Sequence, residues 1–246
     1  MFPISEYKRA ATIDEALDLL AGDPQLRPIA GGTDILIKLH KGKAGYDRLV
    51  DIHDLDELSG VRLTDGGDDL VIGPGTVFRE LIEDALIQDR LPILATALAT
   101  IGGPQVRNMG TIGGNLCNGV PSADSAPGLL AFNAVLTLRS KSAERRVPVA
   151  DFFKGPGQVD LDAGELLTAI TIPAAEYRGR HGHYIKYAMR DAMDIATIGC
   201  AAAVQIEDGH LTELRLAFGV AAPVPIRCPN AEAAAKGHPL DDSLLE

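Results

Sequence analysis

Residues 101–127 read IGGPQVRNMGTIGGNLCNGVPSADSAP and hold six glycines together with Asn, Ser, Thr and Asp. A connection of this length without regular structure is usually either functional or disordered. Apolar residues such as Ile112 and Leu116 recur through it and can anchor it to a core, so we predict an ordered segment, named here the glycine wall. Because glycine lets a ligand approach main-chain N–H groups closely, the wall suits phosphates and a flat heterocycle.

Positive charge is sparse around the glycine wall. No Lys or Arg lies between Arg107 and Arg139. We therefore expect that phosphate held at the wall is met mainly by main-chain N–H dipoles, with Arg107 as the only nearby fixed cation.

A second glycine site lies upstream, in the segment RPIAGGTDILIKL at residues 27–39. Residues 28–30 fit a short buried strand, the two glycines fit a tight turn, and Thr33 or Asp34 fits the N-cap of a helix. This order points main-chain donors and the positive end of a helix dipole at one spot, which favours a pyrophosphate. It matches neither a Rossmann fingerprint nor a P-loop. A glycine helix entry without a ligand stays open for either site alone, and the presence of both sites weighs against it.

Composition and charge place the chain among globular proteins. Of its 246 residues, 46% are hydrophobic and 23% are charged, as in ordinary soluble domains. No window offers the roughly 18 apolar residues of a membrane span, and the start MFPISEYKRA lacks the apolar region of a signal peptide. We therefore expect a cytoplasmic protein without a membrane partner. The net charge of −11 argues against nucleic acid, which requires a basic face.

The side chains offer no self-sufficient catalytic set. Cys117, Cys200 and Cys228 lie far apart and form no C-x-x-C pair, which argues against an iron–sulfur cluster or a structural zinc in this chain. No G-x-S-x-G elbow is present, and the six histidines suggest no metal triad. If the chain is an enzyme, its chemistry must come from a bound cofactor.

Three side chains have both a structural and a functional interpretation. Asp124 can stabilise an Asx-type turn, or its carboxylate can accept hydrogen bonds from ribityl or ribose hydroxyls. Lys186 can point to solvent, or it can reach a ligand and stabilise negative charge on a reduced ring. Cys117 can pack as a small apolar residue or face a ligand.

The apolar pattern predicts a mixture of helices and strands. Thr12 and Glu15 form a capping box for a helix over residues 12–21. The polar stretch 174–182 predicts a domain boundary. Strands are predicted at 1–7, 28–30, 48–52, 61–63, 70–72, 134–139, 165–173, 184–190, 195–206 and 211–220, with hairpins joining 61–63 to 70–72 and the last two to each other. Residues 55–58 fit a turn or short helix, and further helix starts are predicted at Thr76, Pro92, Asn230 and Asp241.

Four segments together resemble a known family. They are IAGGTDILI (29–37), TIGGNLCNGVPSADSAP (111–127), IKYAMRDAMDIATIGCAAAV (185–204) and ELRLAFGVAAPVPIRC (213–228). In this order and spacing they resemble the FAD-binding medium subunits of the molybdenum hydroxylases. The stretches after Lys186 bring the chain closest to the xanthine dehydrogenase branch of bacteria.

The resemblance implies an α+β fold in two parts. Residues 1–176 would form an FAD-binding domain of two α/β subdomains, of the type shared with vanillyl-alcohol oxidase. Residues 182–246 would form a smaller α+β domain, and family members usually continue with a helical region beyond the position of Glu246. The implied FAD contacts are Arg27, Pro28, Ile29, Ala30, Gly31, Gly32, Thr33, Asp34, Ile35, Ile101, Gly102, Met109, Gly110, Thr111, Ile112, Gly113, Gly114, Asn115, Cys117, Asn118, Ala123, Asp124, Leu167 and Lys186.

The resemblance also implies a role within a larger enzyme. A large subunit would carry the molybdenum cofactor and oxidise a purine, and a small subunit would carry two [2Fe–2S] clusters. This chain would pass electrons through FAD to NAD⁺, in a heterotrimer that dimerises. The alternatives are a stand-alone flavin oxidoreductase of the same fold, the flavin subunit of a hydroxylase for aldehydes, CO or aromatic substrates, and a nucleotide-binding module without redox chemistry.

Overall fold

A computed structural model of the chain describes residues 4–239. The strands of this range are β1 (Glu6–Arg9), β2 (Arg27–Ile29), β3 (Arg48–Asp51), β4 (Val61–Leu63), β5 (Leu70–Ile72), β6 (Val135–Arg139), β7 (Glu144–Pro148), β8 (Phe153–Gly155), β9 (Gln158–Val159), β10 (Leu166–Ile172), β11 (His181–Tyr187), β12 (Ile198–Glu207), β13 (His210–Gly219) and β14 (Ile226–Arg227). The helices are α1 (Ile13–Gly22), α2 (Ile35–His40), α3 (Phe78–Glu83), α4 (Ala85–Arg90), α5 (Pro92–Ala99), α6 (Pro104–Arg107), α7 (Ile112–Cys117), α8 (Ser125–Ala131), α9 (Val149–Phe152), α10 (Ala174–Tyr177) and α11 (Pro229–Ala235), and Asp56–Leu58 forms a 3₁₀ turn. Within residues 4–239, no helix has both the length and the apolar character needed to cross a membrane.

The first sheet is parallel, with strand order β1-β3-β2. Helix α1 connects β1 to β2 and begins as predicted, because the Thr12 hydroxyl accepts from the Glu15 N–H at 3.1 Å. The Glu15 carboxylate reaches back to the Ala11 N–H at 2.7 Å, so the reciprocal bonds of a capping box are present. The apolar face of α1, including Leu17, packs with Val50 of β3 in a small core.

The second sheet is antiparallel and has the order β4-β5-β10-β6-β7. The predicted hairpin of β4 and β5 is confirmed, with Val61 opposite Ile72. Buried strand residues such as Leu136 and Ile170 pack with Leu94 of α5 and Leu129 of α8 in the main core. Burial of apolar area of this kind is the dominant favourable term in folding.

The third sheet is also antiparallel, with the order β11-β12-β13-β14. The predicted hairpin of β12 and β13 is confirmed, and its turn has positive φ angles of 50° at Asp208 and 78° at Gly209, as a tight two-residue turn requires. Tyr184 and Ala201 face inward and join the main core with α5 and α8. The predicted α+β class is confirmed.

The glycine wall is ordered as predicted, but much of it is helical. Pro104 begins α6, and Thr111 is the N-cap of α7, where its hydroxyl accepts from the Gly114 N–H at 3.1 Å. Glycine is a poor helix former, so sequence reasoning missed these helices. Tertiary packing explains why α7 forms around glycine. Gly113 lies against Pro74 so closely that a Cβ on it would be 2.5 Å from Pro74 Cβ, and no larger residue fits there.

Two predicted helix caps are wrong, and further helices besides α6 and α7 were missed. The Thr76 hydroxyl donates to Gly73 O at 2.6 Å and accepts from the Gly60 N–H at 2.9 Å. The hydroxyl therefore bonds loop residues and does not cap a helix, and α3 begins after Val77. Asn230 lies inside α11, whose N-cap position is Cys228. Helix α4 was not predicted, and the helix predicted from Asp241 lies outside the described residues.

The predicted boundary at 174–182 is not an irregular linker. It contains α10 and the first residues of β11. The Arg215 guanidinium of β13 donates to Ala131 O at 3.0 Å, so the third sheet is bonded to the end of α8.

Candidate functional site

A cleft of about 550 Å³ lies between the first glycine segment and the glycine wall. Gly31 and Gly114 both line it, although they are far apart in the chain. The predicted site residues in its lining are Arg27, Pro28, Ile29, Ala30, Gly31, Gly32, Thr33, Asp34, Ile35, Ile101, Thr111, Gly113, Gly114, Asn115, Cys117, Asn118 and Leu167. A cleft of this volume falls within the range of cofactor pockets.

The two glycine segments touch at Gly31. A Cβ at this position would lie 1.6 Å from Met109 O and 3.1 Å from Gly110 Cα, which no side chain can satisfy without moving the backbone. Gly32 follows with φ of +72°, in the region that favours glycine. The pair of glycines therefore lets the chain leave β2, pass against the glycine wall and enter α2.

The five main-chain N–H groups from Gly31 to Ile35 find no protein acceptor within residues 4–239. Asp34 occupies the predicted N-cap position of α2, but its side chain makes no capping hydrogen bond. The first donor of this helix used inside the protein is the Leu36 N–H, which bonds Gly32 O at 3.0 Å. Successive unpaired N–H groups of this kind form an anion-binding concavity.

The N–H groups of residues 112–115 in the glycine wall are bonded within the protein and are not free as the sequence predicted. The Ile112 N–H bonds Thr76 O at 3.1 Å, and the Gly113 N–H bonds Pro74 O at 2.8 Å. Thr111 accepts from the N–H groups of both Gly114 and Asn115, with its hydroxyl and its carbonyl. At this end of α7 the wall therefore supplies shape, and the first glycine segment supplies the main-chain donors.

The prediction that Arg107 is the nearby cation is wrong. Its guanidinium donates to Ile101 O at 2.9 Å and to Gly102 O at 3.0 Å, and it does not line the cleft. Lys38 lines the cleft instead, where its ammonium donates to Asn118 Oδ1 at 2.5 Å and lies 5.1 Å from the centre of the Tyr46 ring. The sequence analysis missed Lys38, although it lies one helical turn after Asp34 on α2 and helical spacing would have found it.

Other lining residues missed by the sequence analysis are brought in by tertiary structure. Phe78 comes from α3 and Gln158 from β9. No local pattern connects either of them to a glycine motif.

The predicted site residues outside the lining of the cleft are Gly102, Met109, Gly110, Ile112, Ala123, Asp124 and Lys186. Several of them pack next to the residues that line the cleft. Ile112 and Ala123 are buried in the main core. Met109 O meets Gly31, as described above, and Gly110 O accepts from the Phe78 N–H at 3.0 Å. Direct ligand contact by these residues stays a prediction.

Asp124 of the glycine wall forms a buried ion pair with Lys186 of β11. The Lys186 ammonium donates to Asp124 Oδ2 at 2.9 Å and to Thr100 O at 3.1 Å. The Tyr184 hydroxyl donates to Asp124 Oδ1 at 2.7 Å. Burial raises the pKa of the Asp124 carboxyl, while the hydrogen bonds from Tyr184 and Lys186 act in the opposite direction. Asp124 makes no side-chain cap to α8, and its bonds here go to β11.

Cys117 lines the cleft but is not a reactive thiolate. Burial raises the pKa of its thiol to about 12, so the thiol stays protonated at neutral pH. Its contribution is therefore contact area, as the packing interpretation expects.

The chain is similar to flavin-binding subunits of known enzymes. A family model described as the FAD binding domain in molybdopterin dehydrogenase matches residues 3–175, and one described as the CO dehydrogenase flavoprotein C-terminal domain matches residues 183–246. The xanthine dehydrogenase FAD-binding subunit of Escherichia coli O157:H7 is 49% identical over 100% of this chain and 84% of its own length. The glyceraldehyde dehydrogenase medium chain of Sulfolobus acidocaldarius is 35% identical over 99% and 85%. In the solved structure of carbon monoxide dehydrogenase from Hydrogenophaga pseudoflava, a chain 33% identical in sequence matches with a TM-score of 0.93, over 99% of this chain and 84% of that one.

Proposed function

The chain belongs to the family of FAD-binding subunits of the molybdenum hydroxylases, and from this premise we propose that it is the flavin subunit of a xanthine dehydrogenase. It would pass electrons from [2Fe–2S] clusters on a small subunit through FAD to NAD⁺, while a large subunit with the molybdenum cofactor oxidises a purine. The higher identity to a xanthine dehydrogenase subunit than to a glyceraldehyde dehydrogenase medium chain supports the purine branch.

The observation that carries the proposal is the row of unpartnered N–H groups from Gly31 to Ile35, facing a cleft that also contains Gly114. A pyrophosphate needs several convergent donors, and these five amides would supply them. Arg27 and Lys38 line the same cleft and would balance the charge. The residues present therefore fit the dinucleotide that the family implies.

The rest of the cleft would position the flavin and shield it. Apolar side chains, among them Phe78, Ile101 and Leu167, line it and would cover a flat ring. The Lys186 ammonium bonds the carbonyl of Thr100, the residue before Ile101, and would hold positive charge near that end of the cleft. Bound FAD would supply the ability to accept electrons singly and release them in pairs, which no side chain of the protein provides.

We also propose that the chain divides into domains at residues 1–176 and 182–246, and that it assembles with the other two subunits into a heterotrimer that dimerises. The first family model ends at residue 175 and the second begins at residue 183, each within one residue of this boundary. The names of the relatives, which describe medium chains and FAD-binding subunits, support assembly with further subunits.

The function is tested by purifying the chain and recording its visible spectrum. We expect bound FAD, or stoichiometric uptake of added FAD, and bleaching of its absorbance by NADH under anaerobic conditions. A stand-alone oxidoreductase would instead be reduced by its own organic substrate without other subunits. A chain that neither carries nor takes up FAD would contradict the proposal, and FAD that stays oxidised with NADH would contradict the assignment of NAD⁺ as acceptor.

The substitution Gly114→Ala tests the cleft without disturbing the fold. A Cβ here would meet Thr111 Oγ1 at 3.0 Å and no other atom of residues 4–239 within 4 Å, so it would project into ligand space. We expect FAD affinity to fall at least about tenfold, because the added methyl excludes part of the cofactor. Apo stability should change by less than about 1 kcal/mol, because alanine is the better helix former but its Cβ crowds the capping hydroxyl of Thr111.

Gly22→Ala is the matched control for Gly114→Ala. Gly22 is the last residue of α1, and beyond its own helix backbone and chain neighbours a Cβ on it would meet no atom of residues 4–239 within 4 Å. Isothermal titration with FAD and thermal unfolding of the apo proteins are the measurements. Equal FAD affinity in both variants would place the cofactor elsewhere.

A further inference from the structure

Tyr184 is buried next to the ion pair of Asp124 and Lys186 and is hydrogen-bonded to it. Its side chain is 2% exposed, and its hydroxyl lies 2.7 Å from Asp124 Oδ1. Tyr184 and Lys186 are two residues apart on β11 and therefore point to the same face of the sheet. One strand thus supplies a donor to each oxygen of the Asp124 carboxylate.

Gly199 makes room for the Tyr184 hydroxyl. It lies opposite Lys186 in the pairing of β11 with β12, and a Cβ on it would lie 2.4 Å from Tyr184 Oη and 3.3 Å from Cζ. Any other residue at position 199 would push the phenol away from Asp124. The hydroxyl position is therefore set by two strands.

The three residues leave one donor unused. An ammonium group has three N–H donors, and Lys186 spends two of them on Asp124 and Thr100. The Lys186 side chain is 10% exposed, and its ammonium has no third acceptor within residues 4–239. Because both Asp124 oxygens are occupied, the carboxylate cannot rotate without losing a hydrogen bond.

We propose that Tyr184 is a positioning residue for the flavin site, holding Asp124 so that Asp124 fixes the Lys186 ammonium toward an acceptor atom of the bound cofactor. This proposal rests on the function proposed above, in which Lys186 holds positive charge near the end of the cleft beside Ile101. Tyr184 does not line the cleft and belongs to neither glycine motif.

Tyr184→Phe removes the hydroxyl and keeps the ring. We expect the dissociation constant for FAD to rise about tenfold, the size of one hydrogen bond to a charged group. Tyr177→Phe is the matched control, because Tyr177 is 5% exposed and its hydroxyl is also bonded, to Asp68 O and Arg90, away from this pair. Its FAD affinity should stay within about twofold of the parent protein.

The pH profile separates positioning from mere packing. The Tyr184 hydrogen bond lowers the pKa of Asp124, so removing it lets Asp124 protonate at a higher pH and release Lys186. The other titratable group acting on Tyr184 is Cys200 of β12, which neither variant changes. We expect the loss of FAD affinity on acidification to begin at a higher pH in Tyr184→Phe than in the parent, and to be unmoved in Tyr177→Phe.

Gly199→Ala gives a second route to the same result if Tyr184→Phe folds poorly. It keeps the hydroxyl but displaces it, and should weaken FAD binding and shift the acid limb in the same direction. Parent-like affinity and pH profile in both variants would overturn the role of Tyr184 while leaving the proposed function intact. Absence of FAD binding by the parent protein would instead refute the function itself.

Discussion

Gly31→Ala is expected to weaken FAD binding strongly and to destabilise the apo protein by about 3 kcal/mol or more. The added Cβ would lie 1.6 Å from the carbonyl oxygen of Met109, so the first glycine segment would have to move away from the glycine wall. That movement would shift the unpartnered N–H groups of residues 31–35 and widen the cleft. We expect FAD affinity to fall by on the order of 100-fold.

The structure changes what this substitution should do. From the sequence alone, a larger residue at position 31 is expected to collide with phosphate and to leave the fold intact. Because the collision is with the backbone of the glycine wall, we expect stability and binding to fall together. Denaturant unfolding of the apo protein and FAD titration test this, with Gly114→Ala as the comparison that loses binding only. An apo protein as stable as the parent would show that the two segments do not touch.

Asp124→Ala is expected to destabilise the apo protein by about 3 kcal/mol, since it leaves the Lys186 ammonium without its carboxylate. Within residues 4–239, Lys186 keeps only Thr100 O as an acceptor, and the buried Tyr184 hydroxyl loses its one partner. An unmatched buried donor carries its own desolvation cost. If Asp124 only bound the hydroxyl groups of FAD, as one interpretation of the sequence has it, Asp124→Ala would affect FAD binding more than stability. The buried pair reverses that order.

A double-mutant cycle measures the pair. Lys186→Met alone leaves the carboxylate unpaired, whereas Asp124→Ala with Lys186→Met removes both charges. We expect the double variant to be more stable than the sum of the single losses predicts, by at least about 1 kcal/mol. Additive losses would mean that the two charges do not interact in the folded protein.

Local signals in the sequence were sufficient where the structure depends on neighbours along the chain. The capping box of Thr12 and Glu15 fixed the start of α1, and the residues Asp208 and Gly209 fixed a hairpin turn. Local composition also identified the two glycine segments as a candidate site, and both line the same cleft. In each case the controlling interaction lies within a few residues or follows from the φ range that glycine allows.

Sequence reasoning failed where the deciding partner is distant. Helix α7 forms despite two glycines because Gly113 packs on Pro74, and the same contact consumes the Gly113 N–H. The partners of Asp124 lie 60 and 62 residues away, and no spacing rule connects them. Sheet pairing and helix packing bring such residues together, and periodicity within a short sequence window cannot predict these long-range contacts.

The most direct test of the proposed FAD site is a crystal structure of the chain with FAD bound. We predict that the pyrophosphate oxygens lie about 3 Å from main-chain nitrogens of residues 31–35, with the flavin in the same cleft against the glycine wall. Pyrophosphate bound elsewhere, with the N–H groups of Gly31 to Ile35 bonded to no ligand, would contradict the proposed FAD site.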